Sequence, residues 1–167
     1  MPRRSHAAAL LLFAALVSAC GARYTPPYRQ GPIDFAFTLG GEDRRLGELE
    51  GRPLVLVLVR TSEVTSELYL DELVKAHAEI EGETRLLVLS IDPNEGKLLP
   101  AYLEERGLPF PIGLAEWPVA EGTSALGLVP IVPPTYLIGK DGAVAGMIPG
   151  AVKGEQLVRE LERRGWE

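Results

Sequence analysis

Residues 54–59 read LVLVLV. A strand with one wet face alternates polar and apolar residues, and this one does not. Six consecutive leucines and valines need apolar cover on both faces, so the run predicts a central strand of a sheet with layers on either side. TRLLVLSID (84–92) is a second run of the same kind. Between them, SEVTSELYLDELVKAHAEI (62–80) has helical spacing, with Leu70, Leu73, Val74 and His77 on one stripe. Ser62 is placed to cap that helix, and Glu63 and Glu67 lie near the positive end of its dipole. Buried strand, helix and buried strand form a β-α-β unit.

The remaining elements extend this unit. IDFAFTL (33–39) alternates like a strand and turns at Gly40-Gly41 into EDRRLGEL. GKLLPAYLEERG (96–107) predicts a helix ended by Gly107, FPIGLA a short strand, and VAEGTSALGL (119–128) a short helix. After the prolines of VPIVPP, TYLIGKDGAVAGMIPG predicts a hairpin around Lys140-Asp141-Gly142, and KGEQLVRELERRG (153–165) a closing helix. In that helix Leu157, Val158 and Leu161 share a stripe. The order β-β-β-α-β-α-(β)-α-β-β-α implies one α/β domain: a central mixed sheet flanked by helices.

The N-terminus has a different character. Arg3 and Arg4 precede the apolar stretch AAALLLFAALV (7–17), and small residues then lead to Cys20, the pattern of an export signal. LVSAC resembles the lipobox of bacterial lipoproteins, which implies a signal peptide over 1–19 and an acylated Cys20. Residues 20–32 then form the lipidated cysteine and a Gly/Pro-rich tether, and the domain spans 33–167. The expected location is the bacterial envelope, with the domain facing the periplasm. Gly21 lacks the aspartate of inner-membrane retention, which leans to the outer membrane.

Of the 17 Lys and Arg, Arg3 and Arg4 fall in the leader, leaving 15 against 23 Asp and Glu, a net charge of −8. Nucleic acid and anionic lipid are poor partners for such a surface, so membrane contact is expected through the lipid at Cys20. Cys20 is the single cysteine, and acylation consumes it. The domain is then left without thiol, disulfide or thiolate metal ligand, and His77 alone cannot build a zinc site. No cofactor is expected.

With the elements placed, residues 33–164 resemble the thioredoxin-like fold, particularly tethered thiol–disulfide oxidoreductases of the TlpA and ResA kind and the wider redoxin group. LGELEGRPLVLVLV is similar to the approach to their active site, VPPTYLIGKDGAV to their cis-proline segment, and GMIPGAVKGEQLVREL to their last strand and helix. Counting from Pro53 to Leu73 puts Glu63 and Ser66 at the positions of the family's Cys-x-x-Cys. Exchange needs a thiolate to attack a disulfide and a second thiol to resolve it, and neither a carboxylate nor a hydroxyl can do this. RTSEVTS likewise keeps Arg60, Thr61 and Thr65 of a peroxidatic site without its sulfur, and a hydroxyl cannot form a sulfenic acid. Asp92 reads as a turn residue.

The resemblance places the cis-proline at Pro133, with Val132 presenting its backbone to an extended chain. Pro134 is the other candidate for the cis form, and its preceding residue, Pro133, has no N–H to offer. The binding site expected on this basis comprises Val132, Pro133, Ser62, Glu63, Thr65 and Trp117, and its ligand is an extended peptide or envelope protein. Two functions follow. One is a redox-inactive, tethered binding module. The other is an atypical thiol–disulfide oxidoreductase that works through a partner's thiols or an unacylated Cys20.

Overall fold

The computed structural model describes residues 28–166, apart from 81, 83, 93 and 130, so the signal peptide, Cys20 and most of the tether lie outside the described residues. Its elements follow in the order β1 (Ala36–Leu39), β2 (Glu42–Arg45), β3 (Leu54–Val59), α1 (Val64–Ile80), β4 (Arg85–Ser90), α2 (Leu99–Arg106), β5 (Ile112–Ala115), α3 (Trp117–Ala120), β6 (Thr135–Ile138), β7 (Val144–Ile148) and α4 (Gly154–Glu162). Seven strands make one sheet in the order β2-β1-β5-β4-β3-β6-β7. The central β3, β4 and β5 are parallel, while β6 is antiparallel to β3 and β1 to β5.

LVLVLV is buried at every position because both of its faces are covered. Val55, Val57 and Val59 pack under α1 and α4, in a cluster with Tyr69, Leu70, Leu73, Leu157 and Leu161. Leu54, Leu56 and Leu58 face the other way, beneath Ile33, Phe35, Phe37, Val119 and Leu126. One sheet face is therefore covered by helices. The other is covered by the N-terminal segment and the lobe that follows β5.

This topology gathers one set of loops. The carboxyl ends of β3, β4 and β5 lie at one end of the sheet, and β6 starts there because it runs the other way. The loop after β3, the turn before α2, the start of α3, the proline loop before β6 and the loop before α4 all meet that end. In open α/β sheets this is where ligands bind.

Several boundaries depart from the sequence reading, each for a local reason. The helix expected from Ser62 starts at Val64. Glu63, not Ser62, takes the capping position, and its C=O accepts the Glu67 N–H at 3.1 Å. The buried stripe of α1 runs through Ser66, Tyr69, Leu70, Leu73, Ala76 and Ile80, with Val74 left exposed. In place of a helix over 119–128 there is the single turn of α3, after which Gly122 and Gly127 take positive φ. The Thr123 and Ser124 N–H groups both turn back to the Pro118 C=O at 2.9 Å. Only Ala36–Leu39 of IDFAFTL is strand, since the Ile33 N–H donates to the Gly142 C=O at 3.0 Å in the hairpin turn and the ladder with β2 begins at Ala36. The segment 28–32, expected in the tether, is held on the domain. The Tyr28 ring meets the edge of Tyr136 at 6.4 Å, and the Arg29 N–H donates to the Ala125 C=O at 2.8 Å.

Candidate functional site

β3 ends at Val59 and the chain turns through Arg60–Glu63 into α1. Ser66 lies in the first turn of that helix and is wholly buried. Its Oγ accepts the Arg60 N–H at 3.1 Å, which ties the turn to the helix that follows. Glu63 Oε1 lies 3.0 Å from Arg60 Nη1, and both side chains are half-exposed. Such a pair contributes about 0–1 kcal/mol and leaves the carboxylate neutralised at the helix start. Ser62 and Thr65 are exposed beside it.

The proline loop lies next to this turn. The Val132–Pro133 peptide bond is cis, so Pro133 and not Pro134 takes that form. The Pro134 C=O accepts the Leu58 N–H at 3.1 Å, which fixes the loop to the end of β3. Two residues on, the Thr135 hydroxyl meets the Tyr69 hydroxyl at 2.7 Å and links β6 to α1. Burial pushes the Tyr69 phenol up to about 12, opposed by that hydrogen bond. Val132 is half-exposed, and among the described residues neither its N–H nor its C=O has a hydrogen-bond partner.

Exposed apolar side chains occur on both elements at this end of the sheet. Val64 and Leu68 are exposed one helical turn apart on α1, and Ile131 is exposed beside Val132. A Cβ at Gly150 would sit 3.8 Å from Ile131 Cγ2, so the loop before α4 closes one side. Leu68 also shares a cleft of about 340 Å³ with Ala151 and Val152 of that loop. The structure thus brings together Ser62, Glu63, Thr65, Val132 and Pro133. It sets Trp117 apart. Trp117 follows β5, three strand spacings from β6, or roughly 14 Å across the sheet. The residues missed from sequence are Val64, Leu68 and Ile131. A signal was present, since Val64 and Leu68 fall outside the apolar stripe of their helix.

The chemistry open to this site is narrow. Ser66 Oγ is buried and engaged with a backbone N–H, and its helix carries His77 eleven residues further on, about 16 Å away. That imidazole is half-buried against Phe110, with ring centroids 5.4 Å apart, and cannot activate Ser66. Asp92 accepts the Asn94 N–H at 2.9 Å, the geometry of a turn residue.

No protein-family model matches the chain, and no curated protein sequence matches it. Solved structures do. StoA from Bacillus subtilis aligns with a TM-score of 0.63 and 18% identity, over 77% of this chain and 96% of that one. The exposed lipoprotein thioredoxin Etrx1 of Streptococcus pneumoniae aligns with a TM-score of 0.65 and 15% identity, over 78% of this chain and 98% of its own. The fold is thioredoxin-like. A secreted thiol-disulfide isomerase from Corynebacterium glutamicum shares it at a TM-score of 0.63 and 18% identity, over 78% of this chain and 81% of that one. In the thioredoxin-like frame of this chain, the first turn of α1 carries Glu63 and Ser66 and no cysteine falls within residues 28–166.

Proposed function

We propose that the protein is a lipid-anchored envelope lipoprotein whose thioredoxin-like domain has no thiol chemistry and binds an extended peptide segment of a partner. The observation that carries this reading is the free N–H and C=O of Val132, held beside Pro133 at the carboxyl end of β3, with Ile131 exposed next to it. Paired backbone groups on an incoming strand would satisfy both, and exposed apolar side chains would take alternate residues of that strand. Glu63 and Ser66 serve the fold here. The carboxylate closes the turn with Arg60, and the hydroxyl caps the Arg60 N–H.

Anchoring at Cys20 follows from LVSAC behind the apolar leader. That Etrx1 is an exposed lipoprotein and the Corynebacterium protein a secreted one supports an envelope location. Among the described residues no helix is long and apolar enough to cross a membrane. Gly21, which lacks the aspartate of inner-membrane retention, leans to the outer membrane.

A photo-reactive residue placed at Ile131 in cells tests the reading. Ile131 is exposed in the groove, and the control site, Glu79, is exposed far along α1. A discrete cross-linked species from position 131 and none from 79 is expected. Equal labelling from both positions, or none from either, contradicts a groove-bound partner.

A further inference from the structure

The sheet has two edges, and they are unlike. β2 reads Glu42-Asp43-Arg44-Arg45, so a strand laid along it would meet four charged side chains. β7 reads Val144-Ala145-Gly146-Met147-Ile148 and carries no charge. Just before it, Pro32 bridges to Ala143 and the Ile33 N–H donates to the Gly142 C=O. From Val144 on, β6 is the one strand neighbour among the described residues, and the outer side has none. By Ile148 a cleft of about 450 Å³ lies open against α4, lined by Val152, Gln156, Arg159 and Arg163. An uncharged edge with room beside it is a template for another strand.

One side chain from the end of α4 reaches this strand. Arg164 Nη1 donates to the Ala145 C=O at 3.1 Å, and the guanidinium lies over Gly146, where an added Cβ would meet Nη2 at 2.8 Å. A glycine inside a strand weakens it and often marks the close approach of another group. Here that group is the guanidinium. Arg164 is also held from behind. Its Nε donates to Glu160 Oε1 at 2.8 Å, and its Cζ lies 5.8 Å from the centroid of the Trp166 ring. Trp166 is fixed in turn, its C=O accepting from Thr84 Oγ1 at 2.6 Å. The neighbouring Arg163 pairs with Glu160 too, but its side chain is 74% exposed against 29% for Arg164. Of the two arginines, Arg164 is the one laid on the sheet.

We propose that Arg164 is a latch on β7 that keeps two copies of this chain from joining edge to edge. A strand added to β7 would compete with the guanidinium for the Ala145 C=O and would cover its charge. With Arg164 displaced, residues 144–148 offer an uncharged edge, and the occupant that charge selects is the same edge of a second copy. Pairing β7 with β2 would set Glu42, Asp43, Arg44 and Arg45 against an apolar strand, whereas pairing β7 with β7 brings no strand charge to the seam. A β7–β7 contact is isologous and closes at two chains, while a β7–β2 contact would leave one edge of each kind free and continue as a filament.

Two variants release the latch by different routes. Arg164→Ala removes the guanidinium. Gly146→Ala keeps it but places a methyl group against Nη2, and Gly146 has no positive φ, so alanine fits once that flexible side chain moves away. The full-length chain, purified in mild detergent, would be measured by sedimentation for protein mass per particle. Both variants are expected at about twice the wild-type mass, with Arg163→Ala unchanged. Adding Ala145→Lys, at an exposed edge position, should return both to the wild-type value, because a lysine on an edge strand opposes pairing. Wild-type mass in either latch variant overturns the latch, as does an equal rise in Arg163→Ala. A rise that Ala145→Lys leaves in place overturns it as well, since that association does not run through the β7 edge.

Discussion

Ser66 is committed to structure. Its buried hydroxyl accepts the Arg60 N–H at 3.1 Å. Ser66→Ala would leave that N–H without its acceptor and should cost about 1–2 kcal/mol, read as a lower urea midpoint at unchanged slope. Glu63→Cys with Ser66→Cys restores sulfur to the turn. Two cysteines three residues apart in a helix's first turn can meet disulfide geometry. The pair should oxidise, and trapping of free thiols before mass measurement checks it; thiols that stay free mean that these are not the redox positions. Tyr69 supplies a pH signature. Its folded-state value, about 12, lies above the ordinary 10, so the unfolded chain releases this proton first as pH rises. Its contribution is complete below pH 10 and lost as pH climbs toward 12, about 2–3 kcal/mol over that window. Tyr69→Phe should flatten that part of the alkaline stability curve.

At the level of elements, the LVLVLV strand, the β-α-β unit, the hairpin and the closing helix were legible because period and length leave few alternatives. The short segments were not. A single turn such as α3 has no period to read, and what shapes residues 117–128 is Gly122 and Gly127 at positive φ with two N–H groups on the Pro118 C=O. The proline register could be argued from Val132's N–H, but the neighbours of that loop come from α1 and the loop before α4. Nothing in sequence spacing brings Ile131 to Gly150. The packing of α1 on α4 depends on another glycine. A Cβ at Gly154 would lie 2.6 Å from the Glu72 C=O and 3.0 Å from Ala76 Cβ, while the Gly154 N–H donates to Glu72 Oε2 at 3.0 Å. Gly154→Ala should therefore push the helices apart and cost about 1–3 kcal/mol by thermal or urea unfolding, with the sheet intact by circular dichroism.

For the whole molecule, the sheet concentrates its free valences at one end. Edge strand β2 is protected by its charged sequence, Glu42–Arg45, and β7 by Arg164, whose Nη1 donates to the Ala145 C=O at 3.1 Å. The turn, the proline loop and the exposed apolar side chains meet at the strand ends, so a binding role needs no new element there. The domain should show no turnover in insulin disulfide reduction, and activity above buffer would return the protein to the oxidoreductases. The central claim, that a thioredoxin-like scaffold without cysteine binds an extended chain at Val132, is most directly tested by titrating envelope-derived peptides against the nitrogen-labelled domain and following amide signals. The account predicts saturable shifts at Val132, Ile131 and Glu63. Shifts confined to the far end of the sheet near Thr84 and Ala143, or none with any peptide, would contradict it.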